Sequence, residues 1–162
     1  MFNKEISKEL LNMAVDDQAA IKDKVWNNDL GQKHVNQLKK IIEKIGWPTI
    51  STVGKEASEA SWLIVQHADF DIEFQKSCLT LIERAARIDE ATLPNVAYLT
   101  DRILVNSKKP QKFGTQFYID EKGMFGPRPI EDEKNVDLLR VEYKLPPLSE
   151  YKKLMVKLYK PQ

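Results

Sequence analysis

The chain has 162 residues, 42% of them hydrophobic and 30% charged, which is one domain's length with enough apolar material for a core. Lys and Arg number 25 and Asp and Glu 24, so the formal charge of +1 argues against a polybasic nucleic-acid binder. No apolar run approaches the roughly 18 residues of a membrane span, Met1-Phe2-Asn3-Lys4-Glu5 does not open a signal peptide, and the one cysteine, Cys78, allows neither an internal disulfide nor a multi-cysteine zinc site, so a cytoplasmic protein is expected.

In chain order, Ile6, Leu10, Met13, Ala20 and Ile21 recur near the 3.6 period and predict a helix over residues 4–26. Val35, Leu38, Ile41, Ile42 and Ile45 predict a second, closed by Gly46 with Pro48 just beyond. Residues 57–68 form a third around Trp62, Leu63, Ile64 and Val65. Phe74, Cys78, Leu81, Ile82 and Ala85 carry a fourth, with Asp69 or Asp71 as its N-cap. Pro94 suits the start of a fifth, which holds Val96, Leu99 and Ile103. The period then changes. Residues 115–119 are β-prone, 120–123 give a turn signal, and Met124-Phe125 would return. Asp132 can cap a sixth helix with Val136, Leu139 and Tyr143, and Ser149 a last one with Leu154 and Leu158. The expected fold is all-α: a single helical domain over residues 1–162, with about six to seven helices and one short β-hairpin near residues 115–125. Charge is uneven along it, at +1 over residues 1–50, −4 over 51–100 and +4 over 101–162, which mainly describes a solvated surface.

The informative residues are polar ones on apolar stripes. Asp17 continues Ile6–Leu10–Met13, His67 lies one turn beyond Leu63 and Ile64, Gln75 one turn before Cys78 and Leu79, and Asp101 between Ala97 and Leu104. In one reading these groups satisfy one another or cap helix ends, as buried polar groups normally do. In the other they converge on a pocket where a carboxylate fixes the His67 tautomer and raises its basicity. The loop Gln111-Lys112-Phe113-Gly114-Thr115-Gln116 adds uncharged donors and acceptors beside a glycine. It lacks the phosphate-loop pattern and leads to a strand.

The run from Ala57 to Asp69, containing Trp62-Leu63-Ile64-Val65-Gln66-His67-Ala68-Asp69, resembles the signature of an uncharacterised bacterial family, a domain of unknown function. Asp17-Gln18, Gly46-Trp47-Pro48, Val53-Gly54, Phe74-Gln75, Tyr98-Leu99-Thr100-Asp101-Arg102, and Gln111 with Gly114-Thr115-Gln116 resemble it in the same order, over roughly residues 10–120. The chain has Phe113 where that family's pattern leads one to expect Tyr. The resemblance implies that these positions form a site and supplies no reaction.

Chemistry narrows the choice. Cys78 sits on an apolar stripe, unsuited to nucleophilic catalysis. His34 and His67 are far apart in sequence, so no zinc pair is expected, and Asp17, Asp69 and Asp101 lack the spacing of a magnesium or manganese site. No dinucleotide fingerprint is present, and no metal or cofactor is expected. The first reading is an enzyme. His67 acts as general acid or base oriented by Asp101 or Asp17. Gln75, Gln111, Gly114, Thr115 and Gln116 hold a small polar substrate, and Arg102 or Arg128 its anionic part. The alternative is a non-catalytic module that binds a protein partner or senses a ligand, with Trp26 or Tyr151 as candidate exposed aromatics. Neither reading involves a membrane or nucleic acid.

Overall fold

The computed structural model describes residues 2–159. Met1, which opened the leader reading above, and residues 160–162 lie outside the described residues. Eight helices and one two-stranded hairpin are formed among them. No helix among them is long and apolar enough to cross a membrane. The chain divides after Thr92 into two compact units, Met1–Thr92 and Leu93–Gln162.

The first unit holds five helices: α1 (Lys4–Lys22), α2 (Asn28–Ile45), α3 (Ile50–Val53), α4 (Lys55–His67) and α5 (Ile72–Ala86). Asn3 caps α1 by accepting from Ile6 N at 3.1 Å. The buried face of α1 is Ile6, Leu10, Met13, Asp17 and Ala20, so a carboxylate sits in the apolar stripe as its spacing required. The helix ends at Lys22 rather than at residue 26. Lys24 takes φ +58°, a left-handed residue that stops the helix. Val25 N and Trp26 N both bond back to Ala20 O, at 2.9 and 3.1 Å. This tight return lays Trp26 against the unit before Asn27 caps α2.

Gly31 of α2 is required by that return. A Cβ there would stand 2.8 Å from both Trp26 and Phe70 ring carbons. Gly46, at φ +74°, closes α2 as its place in the sequence predicts. The one-turn α3 has too short an apolar pattern to be read from periodicity. It is held by Thr49 N donating to Thr52 Oγ1 and by Ser51 N donating to Glu90 Oε2. Helix α4 is the hub, packing on α1, α2, α3 and α5. Its buried Ala57, Ser58, Ala60 and Ser61 are small enough for neighbouring helices to come close. Asp71, not Asp69, caps α5, accepting from Phe74 N at 3.0 Å and from Lys39 Nζ at 2.9 Å.

The second unit holds α6 (Leu93–Asn106), β1 (Phe117–Ile119), β2 (Phe125–Pro127), α7 (Val136–Glu142) and α8 (Leu148–Tyr159). The strands pair antiparallel with Tyr118 opposite Gly126. Their turn is closed by the Asp120 carboxylate, which accepts from Lys122 N and Met124 N. Asp132 accepts from Asn135, the residue that precedes α7. The cap of α8 is not Ser149, which lies inside the helix. Asp137 reaches across from α7 to accept from Leu148 N at 2.7 Å. Tyr151, expected as an exposed aromatic, is buried. It stands beside the guanidinium of buried Arg140, whose Nε and Nη1 donate to Pro146 O and Phe113 O. Ala97, Phe113 and Leu145 form the core of this unit.

Replacing Gly31 by Ala is expected to destabilise the chain by about 1–3 kcal/mol, the usual cost of overpacking. Denaturant unfolding checks this, and a Gly31→Ala chain as stable as the wild type would contradict the packing.

Candidate functional site

Asp17 and His67 meet in the first unit. His67, the last residue of α4, holds Nδ1 2.5 Å from Asp17 Oδ2. The other carboxylate oxygen, Oδ1, accepts from Trp26 Nε1 at 2.7 Å. Gln18 Nε2 stands at 3.5 Å from Oδ2, the outer limit of a hydrogen bond. Because the carboxylate only accepts, Nδ1 carries the proton, and in the neutral ring Nε2 is left as an acceptor. Among the described residues no group hydrogen-bonds to Nε2. Asp17 is 1% exposed, while the His67 side chain keeps 20% of its surface in solvent. The pair is thus a buried anchor and a reachable ring.

The electrostatics agree with that division. Burial pushes the Asp17 carboxyl upward, but the bonds from His67 and Trp26, with the His67 charge, more than offset it, and the group lies below the usual carboxylate range. His34 of α2 is also buried and feels the Asp17 charge. Desolvation holds its imidazole below the ordinary histidine value, and its Nδ1 has no hydrogen-bond partner among the described residues. Burial likewise pushes the Cys78 thiol up to about 12, so this thiol is not a nucleophile at neutral pH.

Gln75 braces the end of α4. Its side chain is fully buried, and Nε2 lies 3.1 Å from Val65 O, 3.3 Å from Gln66 O and 3.3 Å from Asp69 Oδ1. The first two are carbonyls of the last turn of α4, which lack partners within the helix. Gln75 therefore braces the turn that presents His67.

Asp101 organises the second unit's loop. Oδ1 accepts from Lys112 N at 2.7 Å and Phe113 N at 3.0 Å. Oδ2 accepts from Thr115 N and Thr115 Oγ1, both at 2.9 Å. Burial pushes this carboxyl up, and the backbone donors pull it only part of the way back. Gln111 is equally committed. Its Nε2 donates to Gln116 O and Arg128 O, and its Oε1 accepts from Gln116 N. Gly114 takes φ +72°, and a Cβ there would meet Leu148 and Ile130 at 2.8 and 3.0 Å, so its freedom serves the loop's own packing. Gln116 Nε2 donates to Thr115 Oγ1. Arg102 is half-buried on α6, and the exposed Arg128 stacks on the Tyr118 ring at 4.8 Å.

The carboxylate on His67 Nδ1 is therefore Asp17, one of the two the sequence offered. Sequence reading missed two members of the constellation. Trp26 was expected as an exposed aromatic, yet it is half-buried and bonded to Asp17. His34 figured only as a remote second histidine, although it falls on the stripe of Leu38 and Ile41 and that spacing could have marked it as buried. Among the described residues no three of His, Cys, Asp or Glu are grouped to hold a metal ion.

Small helical folds with a histidine–carboxylate pair serve many functions, so the class rests on sequence comparison. A family model described as a family of unknown function, DUF6624, matches residues 4–161, and the chain belongs to that family. No curated protein and no solved structure matches the chain.

The Asp17 shift sets a pH dependence. The folded carboxyl binds its proton more weakly than the unfolded chain does. Its stabilising contribution is therefore complete above about pH 4 and is lost as pH falls through the lower folded value. Denaturant unfolding from pH 5 downward, to about pH 2, should show Asp17→Asn losing less stability than the wild type. Parallel acid limbs would contradict the assigned pair.

Proposed function

We propose that this chain is a small enzyme in which His67 Nε2 moves a proton at the reacting group of a small substrate. The observation that carries the reading is the 2.5 Å bond from His67 Nδ1 to buried Asp17, with the ring still partly open to solvent. Asp17 and Trp26 hold ring and tautomer fixed, and Asp17 stabilises the imidazolium that forms when Nε2 takes a proton. Gln75 keeps the last turn of α4 rigid beneath the ring. The reaction is assigned to the cytoplasm, and its support is that the chain's one cysteine is held as a buried thiol.

The test needs no prior substrate. Purified wild type, His67→Gln and Asp17→Asn are each incubated with the small-molecule fraction of a cell extract, and consumed species are followed by mass spectrometry. Wild type is expected to deplete at least one species that His67→Gln leaves untouched. Asp17→Asn, which removes the carboxylate that fixes the tautomer of the base, should slow that depletion by up to about 10⁴-fold. Matching profiles for folded wild type and His67→Gln would overturn the reading.

A further inference from the structure

His34 is the other titratable ring of the first unit, and the acid–base pair makes no direct use of it. It lies on the buried face of α2, 2% exposed, and its Nδ1 finds no hydrogen-bond partner among the described residues. An imidazolium carries an N–H donor on each nitrogen. Charging this ring therefore leaves a cation in a buried place with Nδ1–H unpaired, which is unfavourable unless the surroundings open. The charges that act on it are Asp17 and Asp16 of α1 and Lys33 of its own helix. Helix α4 also packs on α2 and contributes His67 through Asp17, whose charge acts on both rings. Asp71, at the start of α5, is engaged by Lys39. Both Asp17 oxygens are already taken, by His67 and Trp26. Desolvation outweighs the two acids and keeps His34 neutral to lower pH than an ordinary histidine.

The segment packed one turn before His34 is lightly tied. Gly31 shares the buried face of α2 with His34, and a Cβ there would stand 2.8 Å from both the Trp26 indole and the Phe70 ring. Trp26 belongs to the return between α1 and α2, outside either helix. Lys24 of this return holds φ +58°, a left-handed conformation that a side chain makes costly. Val25 N and Trp26 N share a single acceptor, Ala20 O. Lys24 and Val25 face solvent. The indole's own tie is the bond from Nε1 to Asp17 Oδ1. A short exposed segment held in this way opens far more readily than the helices that flank it.

We infer that His34 is a pH-sensitive latch on the candidate site: a proton taken up by its buried ring releases the Trp26 return and lets water in. In the closed state His34 is neutral and Trp26 Nε1 donates to Asp17. In the open state the imidazolium is hydrated, and Asp17 Oδ1 exchanges its indole donor for water. Asp17 is then held less firmly, and with it the ring and tautomer of His67. The open form binds the His34 proton near the ordinary value of about 6.5, and the closed form only at lower pH. The closed state is therefore fully favoured above that value and loses ground by up to about tenfold per pH unit below it. This window lies above the one in which Asp17 itself takes a proton. The weakening of proton transfer that follows rests on the acid–base reading of His67; the release of Trp26 does not.

The test is hydrogen exchange of the Trp26 indole N–H in the full chain, read by NMR with the resonance assigned through Trp26→Phe. Rates at about pH 7.5 and about pH 5.5 are each divided into the rate of a free indole at the same pH, which gives a protection factor. In the wild type this factor should fall several-fold, up to about tenfold, while the amide of buried Val65 in α4 stays protected. In His34→Phe, which removes the titrating group, the fall should shrink to within about twofold. His34→Gln provides a second variant if the Phe ring disturbs packing. His67→Gln should keep the wild-type fall. Trp26 protection independent of pH in the wild type, or an undiminished fall in a folded His34 variant, overturns the latch. A fall abolished by His67→Gln, or a matching loss at Val65 that marks global unfolding, also overturns it. Release of Trp26 as described without any His67-dependent depletion refutes the acid–base reading and leaves the latch. His67-dependent depletion with Trp26 equally protected at both pH values refutes the latch alone.

Discussion

A carboxylate in the middle of an apolar stripe is the constraint from which the first unit follows. Leaving an ionised Asp17 unpaired there would cost several kcal/mol. His67 and Trp26 offset that cost, one on each oxygen. Much of the local structure is what brings those two donors into place. Helix α1 stops early at a left-handed Lys24 so that the chain can return Trp26 toward Asp17. Helix α2 carries Gly31 because the indole and the Phe70 ring leave no room for a Cβ. Helix α4 ends on His67, and Gln75 takes up the carbonyls of its last turn.

The second unit uses a buried carboxylate differently. Asp101 receives three backbone amides and one hydroxyl, all from residues 112–115, and so fixes a loop. Asp17 receives two side-chain donors, one of them titratable and partly in solvent. Both carboxylates are buried, yet only the Asp17 arrangement ends in a group that can exchange a proton with a ligand. For the same reason the Gly114-Thr115-Gln116 run has a structural explanation that does not call on a substrate. Its amides, hydroxyl and glycine conformation are used by Asp101, Gln111 and the packing of Leu148.

The elements with a long apolar period were legible in the sequence. The five long helices and the late hairpin fall where spacing and turn residues put them. What escaped was set by tertiary contacts. The one-turn α3 is too short to show a period, and α1 ends early because of a backbone return that no residue preference announces. The cap of α8 comes from Asp137 on another helix, not from the local Ser149. The Asp17–His67 pair was half legible, since each residue stood out on its own stripe. Which carboxylate faced the ring depended on how α1 packs against α4. Trp26 was unreadable as a partner because it lies outside any helix and reaches Asp17 through the turn.

The account depends on Asp17 holding the proton of His67 on Nδ1 and leaving Nε2 to act. Long-range proton–nitrogen NMR of the imidazole, recorded where the ring is neutral, reads this directly. Wild type should show a protonated Nδ1 and a bare Nε2, and Asp17→Asn should disturb that pattern in a chain that remains folded. A ring protonated on Nε2 in the wild type, or an unchanged pattern in folded Asp17→Asn, would contradict it.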